Sequence, residues 1–249
     1  MKVTVRFSQS ENLFKPKFRE VDNISDGGYE RGYESGFVDG VASVANYLPC
    51  SSTARFGNLN LFGRSDVIIN MPLLSTAASM FRRAAHTAEY LNRTVEHITI
   101  NSESQPESVA EMFYQVNLLD SQDVLTHITI NFDTSKATAA YNMFAGVVNL
   151  EIVDGKPLNL SSVTADTTNL YVGSKLSYIR FVPNSIKKSL NVSGSKSLTS
   201  ESVQSIIDGL VNVKGQTTQR VMFHQDVVNR LTAEQILAIQ SKNWTYVSV

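Results

Sequence analysis

The sequence contains one cysteine, Cys50, which excludes an intrachain disulfide framework and a cysteine-rich metal site. It has no run of about 18 apolar residues, so no transmembrane helix is expected, and its first residues lack the apolar core of a secretion signal. An excess of one charge is also missing, because 22 Lys and Arg residues balance 23 Asp and Glu residues, for a net charge of −1. A nucleic-acid partner and membrane insertion are therefore not expected.

Catalytic and cofactor motifs are absent as well. The sequence has no nucleophile elbow, no zinc-protease helix motif, no P-loop and no dinucleotide-binding glycine pattern after a strand. Its carboxylates are scattered, with no pair that spacing alone would bring together, so glycoside hydrolysis finds no support. We therefore expect no enzymatic activity and no cofactor.

What the sequence does contain is a pattern repeated within residues 95–183. Six-residue copies begin at Val95, Leu125, Val147 and Leu176. Apolar side chains occupy the first, fourth and sixth positions of each copy, as expected of short strands with one buried face. A second series consists of Met-Phe pairs at 80–81, 112–113 and 143–144, which follow stretches suited to a helical turn.

One such unit cannot bury its own apolar face, so neighbouring units must stack. The pattern predicts an α/β solenoid of short parallel strands alternating with short helices over residues 51–249. With 42% apolar residues in 249, the chain can bury a substantial core. Beyond the four copies we expect strands at 190–192, 221–223 and 244–249, and helices at 200–210 and 233–241, with caps at Thr199 and Thr232.

These features resemble BspA-like leucine-rich repeats. The L-x-x-I-x-I strand, the irregular spacing and the Met-Phe pairs carry the resemblance, and the asparagine usual after the strand is present at Asn101 and Asn131. The segments 179–186, 198–210, 231–235 and 242–245 closely resemble the end of leucine-rich-repeat proteins common in phages and prophages of Gram-positive gut bacteria. The resemblance covers roughly residues 95–249 and implies an irregular leucine-rich-repeat body with a C-terminal cap.

Residues 1–26 form a separate segment. Val3 and Val5 alternate with polar residues in the manner of a half-buried strand, and further apolar side chains follow among charged ones. The segment is similar to the N-terminal segments of accessory structural proteins in the same phages. That similarity implies a virion anchor that docks through Phe7, Phe14, Phe18 and Val21. The alternative is a strand that packs back on the first repeat.

Within residues 27–50 a glycine recurs at every fourth position from 28 to 40. On a helix this spacing places the glycines in one row and the residues that follow them, mostly aromatic, in the adjacent row. Each interior glycine costs about 1 kcal/mol relative to alanine, so a closely packed neighbour must compensate. The pattern resembles helices that follow the anchor in related phage proteins, which implies an oligomerising stalk, such as a trimer, formed through Gly28, Tyr29, Gly32, Tyr33, Gly36, Phe37 and Gly40. The alternative is a single amphipathic helix that caps the exposed end of the solenoid.

Two groups of cationic or titratable side chains are candidates for binding. His97 and His127 occupy the same position in successive copies, but two imidazoles without a carboxylate or cysteine are a weak metal site, and the repeat itself explains their alignment. No metal site is therefore predicted. A helix predicted over 76–91 carries Arg82, Arg83 and His86 near one side, which we expect to face solvent; contact with an acidic or phosphate-bearing partner is the alternative.

Together with the resemblance, these features predict a non-enzymatic structural protein on the exterior of a phage particle, in its tail, baseplate or a fibre. Its N-terminal segment is expected to bind other virion proteins, and its repeat body is expected to recognise a glycan or protein on the host surface. One alternative is a decoration or scaffold protein that binds no host ligand. Another is a bacterial cell-surface adhesin with the same repeats, against which the missing secretion signal argues.

Overall fold

The computed structural model describes residues 2–5, 66–70, 74–82, 96–116, 125–167, 169–171 and 174–248. These residues form an α/β arrangement of short strands and few helices. The strands are β1 (Lys2–Val5), β2 (Asp66–Asn70), β3 (His97–Asn101), β4 (His127–Asn131), β5 (Ile152–Gly155), β6 (Leu190–Val192), β7 (Gln219–Phe223) and β8 (Trp244–Ser248). The helices are α1 (Ser200–Gly209), α2 (Gln225–Val228) and α3 (Ala233–Ser241).

The strands form two parallel sheets in which spatial order follows chain order. The first sheet has the order β1-β2-β3-β4-β5 and the second has the order β6-β7-β8. Isolated parallel bridges continue the contact between them, joining Ile152 to Tyr178, Leu158 to Phe181 and Thr167 to Leu190. Within each sheet, every strand therefore pairs with the strands that precede and follow it in the chain.

The alternating sequence of β3 and β4 decides which side chains enter the core. Both strands read HITIN, and their isoleucines are fully buried while the histidine, threonine and asparagine are half-buried. Successive side chains of a strand point to opposite faces of the sheet. One face of the first sheet is therefore apolar and packed, and the other is polar and partly accessible.

Tight turns replace the short helices that were predicted at the Met-Phe stretches. The turns of successive units are hydrogen-bonded to one another, with the N–H of Ser79 donating to Ala110 O and the N–H of Glu111 donating to Tyr141 O, both at 2.9 Å. Ser79, Glu111 and Asn142 have positive φ angles of 55–56°, which turn the backbone away from a helical path. The helical prediction is wrong in the described part of these stretches, because alternate N–H groups, such as those of Ser79 and Glu111, bond to the neighbouring unit and no α-helical ladder forms.

An aromatic column runs through the core between the sheet and the turns. Its rings belong to Phe81, Phe113, Phe144 and Tyr171, all at most 1% exposed. Consecutive centroids are 5.1, 5.6 and 5.2 Å apart, and consecutive ring planes are within 7° of parallel. The regular stacking of units places one ring from each unit directly on the next, so the Met-Phe pairs mark the centre of the core.

Tyr171, at the end of this column, has a buried hydroxyl without a hydrogen-bond partner among the described residues. A buried polar group left unpaired costs about 1–3 kcal/mol. Replacing Tyr171 by phenylalanine should therefore raise the free energy of unfolding by about that amount in urea denaturation. Tyr141→Phe is the matched control, because Tyr141 is 43% exposed and should give almost no change.

The increase in the free energy of unfolding caused by Tyr171→Phe should also depend on pH. Burial raises the pKa of Tyr171 well above its ordinary value of 10.0, so the folded protein keeps the proton at a pH where the unfolded chain releases it. The native state therefore loses stability as the pH rises above about 10, and the phenylalanine variant lacks this loss. Equal free energies of unfolding for the two proteins at pH 7 would contradict the expected gain in stability. An equal loss of stability in the two proteins above pH 10 would contradict the raised pKa of Tyr171.

Serine hydroxyls take the place of a strand partner at residues 176–181. The backbone N–H groups of Leu176, Ile179 and Phe181 donate to the hydroxyls of Ser195, Ser202 and Ser205, respectively, at 2.8–3.0 Å. Ser202 and Ser205 lie on α1, so this helix covers an edge to which another strand would otherwise pair. The first ladder of strands therefore ends here, and a second sheet begins with β6.

The C-terminal elements agree closely with the prediction from sequence. Strand β6 and helix α3 have the predicted bounds, and α1 ends one residue before the predicted end. Thr199 caps α1 by accepting from Ser202 N, and Thr232 forms a full capping box with Gln235. Among the described residues, no helix combines the length and the apolar character needed to cross a membrane.

The third copy of the strand pattern is displaced from its predicted place. The register pairs Ile152 with His127 and with Tyr178, so the unit begins at Leu150 and not at Val147. Both residues are buried and apolar, but the pattern favoured Val147, because a copy that begins at Leu150 has Gly155 and not an apolar side chain at its sixth position. The fourth copy, at 176–181, makes single bridges and not a full strand, because serines occupy its other edge.

The N-terminal predictions lie largely outside the described residues. Lys2–Val5 forms β1 and pairs in parallel with β2, which agrees with the alternative of a strand packed on the first repeat. The anchor candidates Phe7, Phe14, Phe18 and Val21 lie outside the described part of the chain. So does the whole glycine-aromatic segment 27–50, which contains Gly28, Tyr29, Gly32, Tyr33, Gly36, Phe37 and Gly40.

Candidate functional site

The partly accessible face of the first sheet carries polar, titratable and aromatic side chains from neighbouring strands. We call it the polar face, and it consists of His97, Thr99, Asn101, His127, Thr129, Asn131, Ile152, Asp154, Tyr178 and Arg180. Every one of these side chains is half-buried. The face is therefore held by its neighbours and still reachable from solvent.

Parallel pairing in register places like residues on like in the first part of the polar face. His97 pairs with His127, Thr99 with Thr129 and Asn101 with Asn131. The two imidazole rings stack with centroids 3.8 Å apart and an interplanar angle of 8°. Asn131 Nδ2 donates to Asn101 Oδ1 at 2.8 Å. The vertical alignment of His97 and His127 that the repeat suggested is therefore confirmed.

A directed hydrogen-bond network connects the histidines to Asp154. Thr129 Oγ1 donates its single proton to Asp154 Oδ1 at 2.5 Å, so it must accept at 2.8 Å from Nε2 of His97. His127 Nε2 lies 3.0 Å from Asp154 Oδ2, and a carboxylate oxygen only accepts. Both imidazoles therefore carry a proton on Nε2, and Asp154 is the acceptor on which the network converges.

The same donor pattern bears on metal binding. A neutral imidazole that carries its proton on Nε2 has its lone pair on Nδ1, so Nε2 is not a metal ligand in this tautomer. Within the described ranges, no group of three or more His, Cys, Asp and Glu side chains is placed to hold a metal ion. The arrangement of His97, His127 and Asp154 is one of hydrogen bonding.

The other side of the polar face is built from residues around the chain segment 176–181. Arg180 Nη2 donates to Gly155 O at 3.0 Å, and the guanidinium lies 5.9 Å from the ring centre of Tyr178. Tyr178 Oη donates to Glu201 Oε1 at 3.0 Å. Partial desolvation and the hydrogen bond to Glu201 raise the pKa of Tyr178, so this phenol stays protonated and keeps its bond to α1.

Comparisons with protein-family models, with curated proteins and with solved structures found no match to this chain. The chemistry of the polar face must therefore be interpreted from its own residues. Those residues offer fixed hydrogen-bond donors and acceptors, stacked rings and an accessible phenol. Such a set suits reversible binding of a polar ligand.

The sequence interpretation did not single out the carboxylate, phenol and guanidinium of the polar face, which belong to Asp154, Tyr178 and Arg180. Asp154 was hidden because the third copy was aligned three residues too early. With Leu150 as the first residue, Ile152 and Asp154 fall at the positions of His127 and Thr129. Tyr178 and Arg180 were already at the corresponding positions of the fourth copy, and this periodicity was the signal that could have identified them.

The cationic group predicted on 76–91 is only partly within the described chain. Arg82 forms an ion pair with Glu111 at 3.0 Å, and its guanidinium lies 5.6 Å from the ring centre of Tyr114. Arg83 and His86 lie outside the described residues. Arg82 therefore takes part in the contacts between successive turns, and its guanidinium is already paired with the carboxylate of Glu111.

Proposed function

We propose that residues 51–249 form an irregular leucine-rich-repeat solenoid of the BspA-like type. Support comes from the parallel pairing of β2 to β5 in chain order, from the hydrogen bonds between successive turns and from the aromatic column that repeats with the units. The L-x-x-I-x-I strands supply the inward isoleucines of this arrangement, and Asn101 and Asn131 follow them in register.

The protein that carries this body is proposed to be a non-enzymatic structural component on the exterior of a phage particle. The basis for this placement is the sequence resemblance described above. In this proposal the N-terminal residues bind other virion proteins, and the glycine-aromatic segment 27–50 assembles copies of the chain into an oligomer. The repeat body is then displayed outward.

Recognition of the host surface is the function that we assign to the polar face. The observation that carries this assignment is the in-register row of half-buried polar and aromatic side chains across β3, β4, β5 and Tyr178. A hydrogen bond from Thr129 to Asp154 fixes both of these side chains, and a hydrogen bond to Glu201 fixes the phenol of Tyr178. Because these side chains are already ordered, a ligand would lose little binding energy to immobilising them.

Binding of the labelled full-length protein to whole cells of Gram-positive gut bacteria tests this function. We expect saturable binding that falls at least about tenfold, or 1.4 kcal/mol, when Asp154 and Tyr178 are both replaced by alanine. The matched control is Tyr141→Ala, which removes an exposed aromatic ring from the turns and should leave binding unchanged.

Two outcomes would contradict the assignment. Equal binding by the double variant and the original protein would show that another surface recognises the cell. A decoration or scaffold role would be favoured instead if the protein bound none of the bacterial strains tested but was still incorporated into particles.

A further inference from the structure

The polar face is divided into two rows that differ in chemistry. One row runs through His97, His127, Ile152 and Tyr178, which supply rings and an aliphatic side chain. The other runs through Thr99, Thr129 and Asp154, which supply hydroxyls and a carboxylate, with Arg180 beyond them. A ligand that spans both rows meets the edges of the stacked imidazoles, an aliphatic side chain and the Tyr178 ring on one side, and hydrogen-bonding groups on the other.

We propose that the polar face binds a neutral oligosaccharide, laid across the strands with its sugar rings on the first row and its hydroxyls towards the second. This inference rests on the proposed recognition function and names the class of its ligand. A pyranose presents apolar C–H groups on its ring face and hydroxyls around its edge, which is the same division that the two rows show.

The hydrogen-bonding capacity left over in the second row fits sugar hydroxyls. A carboxylate has about four lone-pair positions, and Asp154 uses positions for Thr129 and His127, so it can still accept from a ligand. A guanidinium has about five N–H donors, and Arg180 donates one from Nη2 to Gly155. A hydroxyl both donates and accepts, so one sugar can use both side chains.

Charge on and beside the polar face favours a neutral ligand over a charged polymer. The guanidinium of Arg180 is accompanied by the carboxylates of Asp154 and Glu201, and the phenol of Tyr178 lies between them. A polyanion would meet these carboxylates and a polycation would meet the guanidinium, and the described side chains of this face form no patch of one sign that would attract either. The whole chain has a net charge of only −1.

An apolar partner also fits poorly. The large hydrophobic side chains that are exposed in the described chain are Tyr141 and Leu237, and neither belongs to the polar face. Strands in a sheet lie about 4.8 Å apart, so the groups of each row recur at short, regular intervals. An extended chain of sugar rings can use several of these intervals at once, adding weak contacts along its length.

The first experiment exposes the full-length protein to a glycan array that contains neutral bacterial and plant oligosaccharides, with polyphosphate and polylysine as charged probes. We expect binding to neutral glycans, with longer chains preferred, and less than about a twofold loss on raising the salt concentration from about 0.05 to 0.5 M. Dominant binding to polyphosphate or polylysine would overturn the proposal, as would the absence of any bound neutral glycan.

Variants of two residues connect the binding to the polar face. Tyr178→Ala should weaken glycan binding at least about tenfold, whereas Tyr178→Phe should retain it, because the ring is kept and only the bond to Glu201 is lost. Asp154→Asn should also weaken it, since a carboxylate acceptor becomes a neutral amide of the same shape. Equal affinities for Tyr178→Ala and Tyr178→Phe would overturn the assignment of the ring as a sugar platform.

Treatment of the cells separates this inference from the function on which it rests. Periodate cleaves vicinal diols of sugars, and we expect it to abolish cell binding, while protease treatment of the cells should leave binding unchanged. Binding that needs the polar face but survives periodate would overturn the glycan assignment and leave host recognition standing. Absence of all cell binding would overturn host recognition, and the array would still decide whether the face binds sugars.

Discussion

Replacing Phe113 by alanine should lower the free energy of unfolding by about 3–5 kcal/mol. Phe113 is fully buried, and its ring stacks on Phe81 on one side and on Phe144 on the other, at 5.1 and 5.6 Å. Truncation removes the contacts with both neighbours and leaves a cavity at the centre of the column. Denaturation in guanidinium chloride, followed by circular dichroism, measures the change.

Phe113→Leu is the graded companion of this variant. Leucine fills more of the space than alanine and should lose less stability, so the two variants should rank in that order. If Phe113→Ala proves too unstable to fold, the leucine variant alone still reports on the site. A loss below about 1 kcal/mol in Phe113→Ala would contradict the central place of this ring in the core.

Replacing Gly155 by alanine should lower the free energy of unfolding by about 2–5 kcal/mol. Gly155 ends β5 with a φ of +89°, a conformation that is costly for any residue with a Cβ. An added Cβ would overlap the carbonyl oxygen of Ile130 and lie 2.7 Å from Asn131 Oδ1. The carbonyl belongs to a packed strand and cannot move aside, so the steric conflict adds to the dihedral strain.

Gly215→Ala separates the two contributions. Gly215 also has a positive φ, of 78°, but an added Cβ would meet no atom within 4 Å. Its substitution should therefore cost only the dihedral strain, about 1–2 kcal/mol. Thermal or chemical unfolding of the two variants gives the difference directly. Equal losses at Gly155 and Gly215 would show that β4 and β5 are not as close as the structure has them.

Much of the fold could be predicted because the pattern of apolar residues depends on local geometry. The alternation in 97–101 and 127–131 predicts strands that bury their isoleucines, and the structure confirms both. The threonine caps before α1 and α3 were also correct, since a cap is decided within a few residues. Features that depend on a short segment alone were therefore the most predictable.

Features that depend on neighbouring units were not predictable in the same way. The stretch before Phe113 has residues suited to a helical turn, but the N–H groups of Val109 and Glu111 bond to carbonyls in the next unit. That alternative exists only when another unit is stacked beside it, and local propensity does not include it. The displacement of the third copy has the same origin, because only the pairing with His127 shows that the unit begins at Leu150 and not at Val147.

Only part of the candidate site could be anticipated. The repeat placed His97 above His127, and the stacking confirms it. The bonds from Thr129 and His127 to Asp154 depend on the exact register of β5, which an error of three residues had concealed. Contacts between side chains of different units therefore could not be predicted without the correct register of β5.

The coincidence of chain order and spatial order has a consequence for synthesis of the protein. Strand β4 pairs with β3, which the ribosome has already made, and β5 then pairs with β4. Closing such short connections costs little entropy and requires no residue from later in the chain. A nascent chain can therefore build its first sheet one unit at a time as it emerges, before α1 and the final strands have been translated.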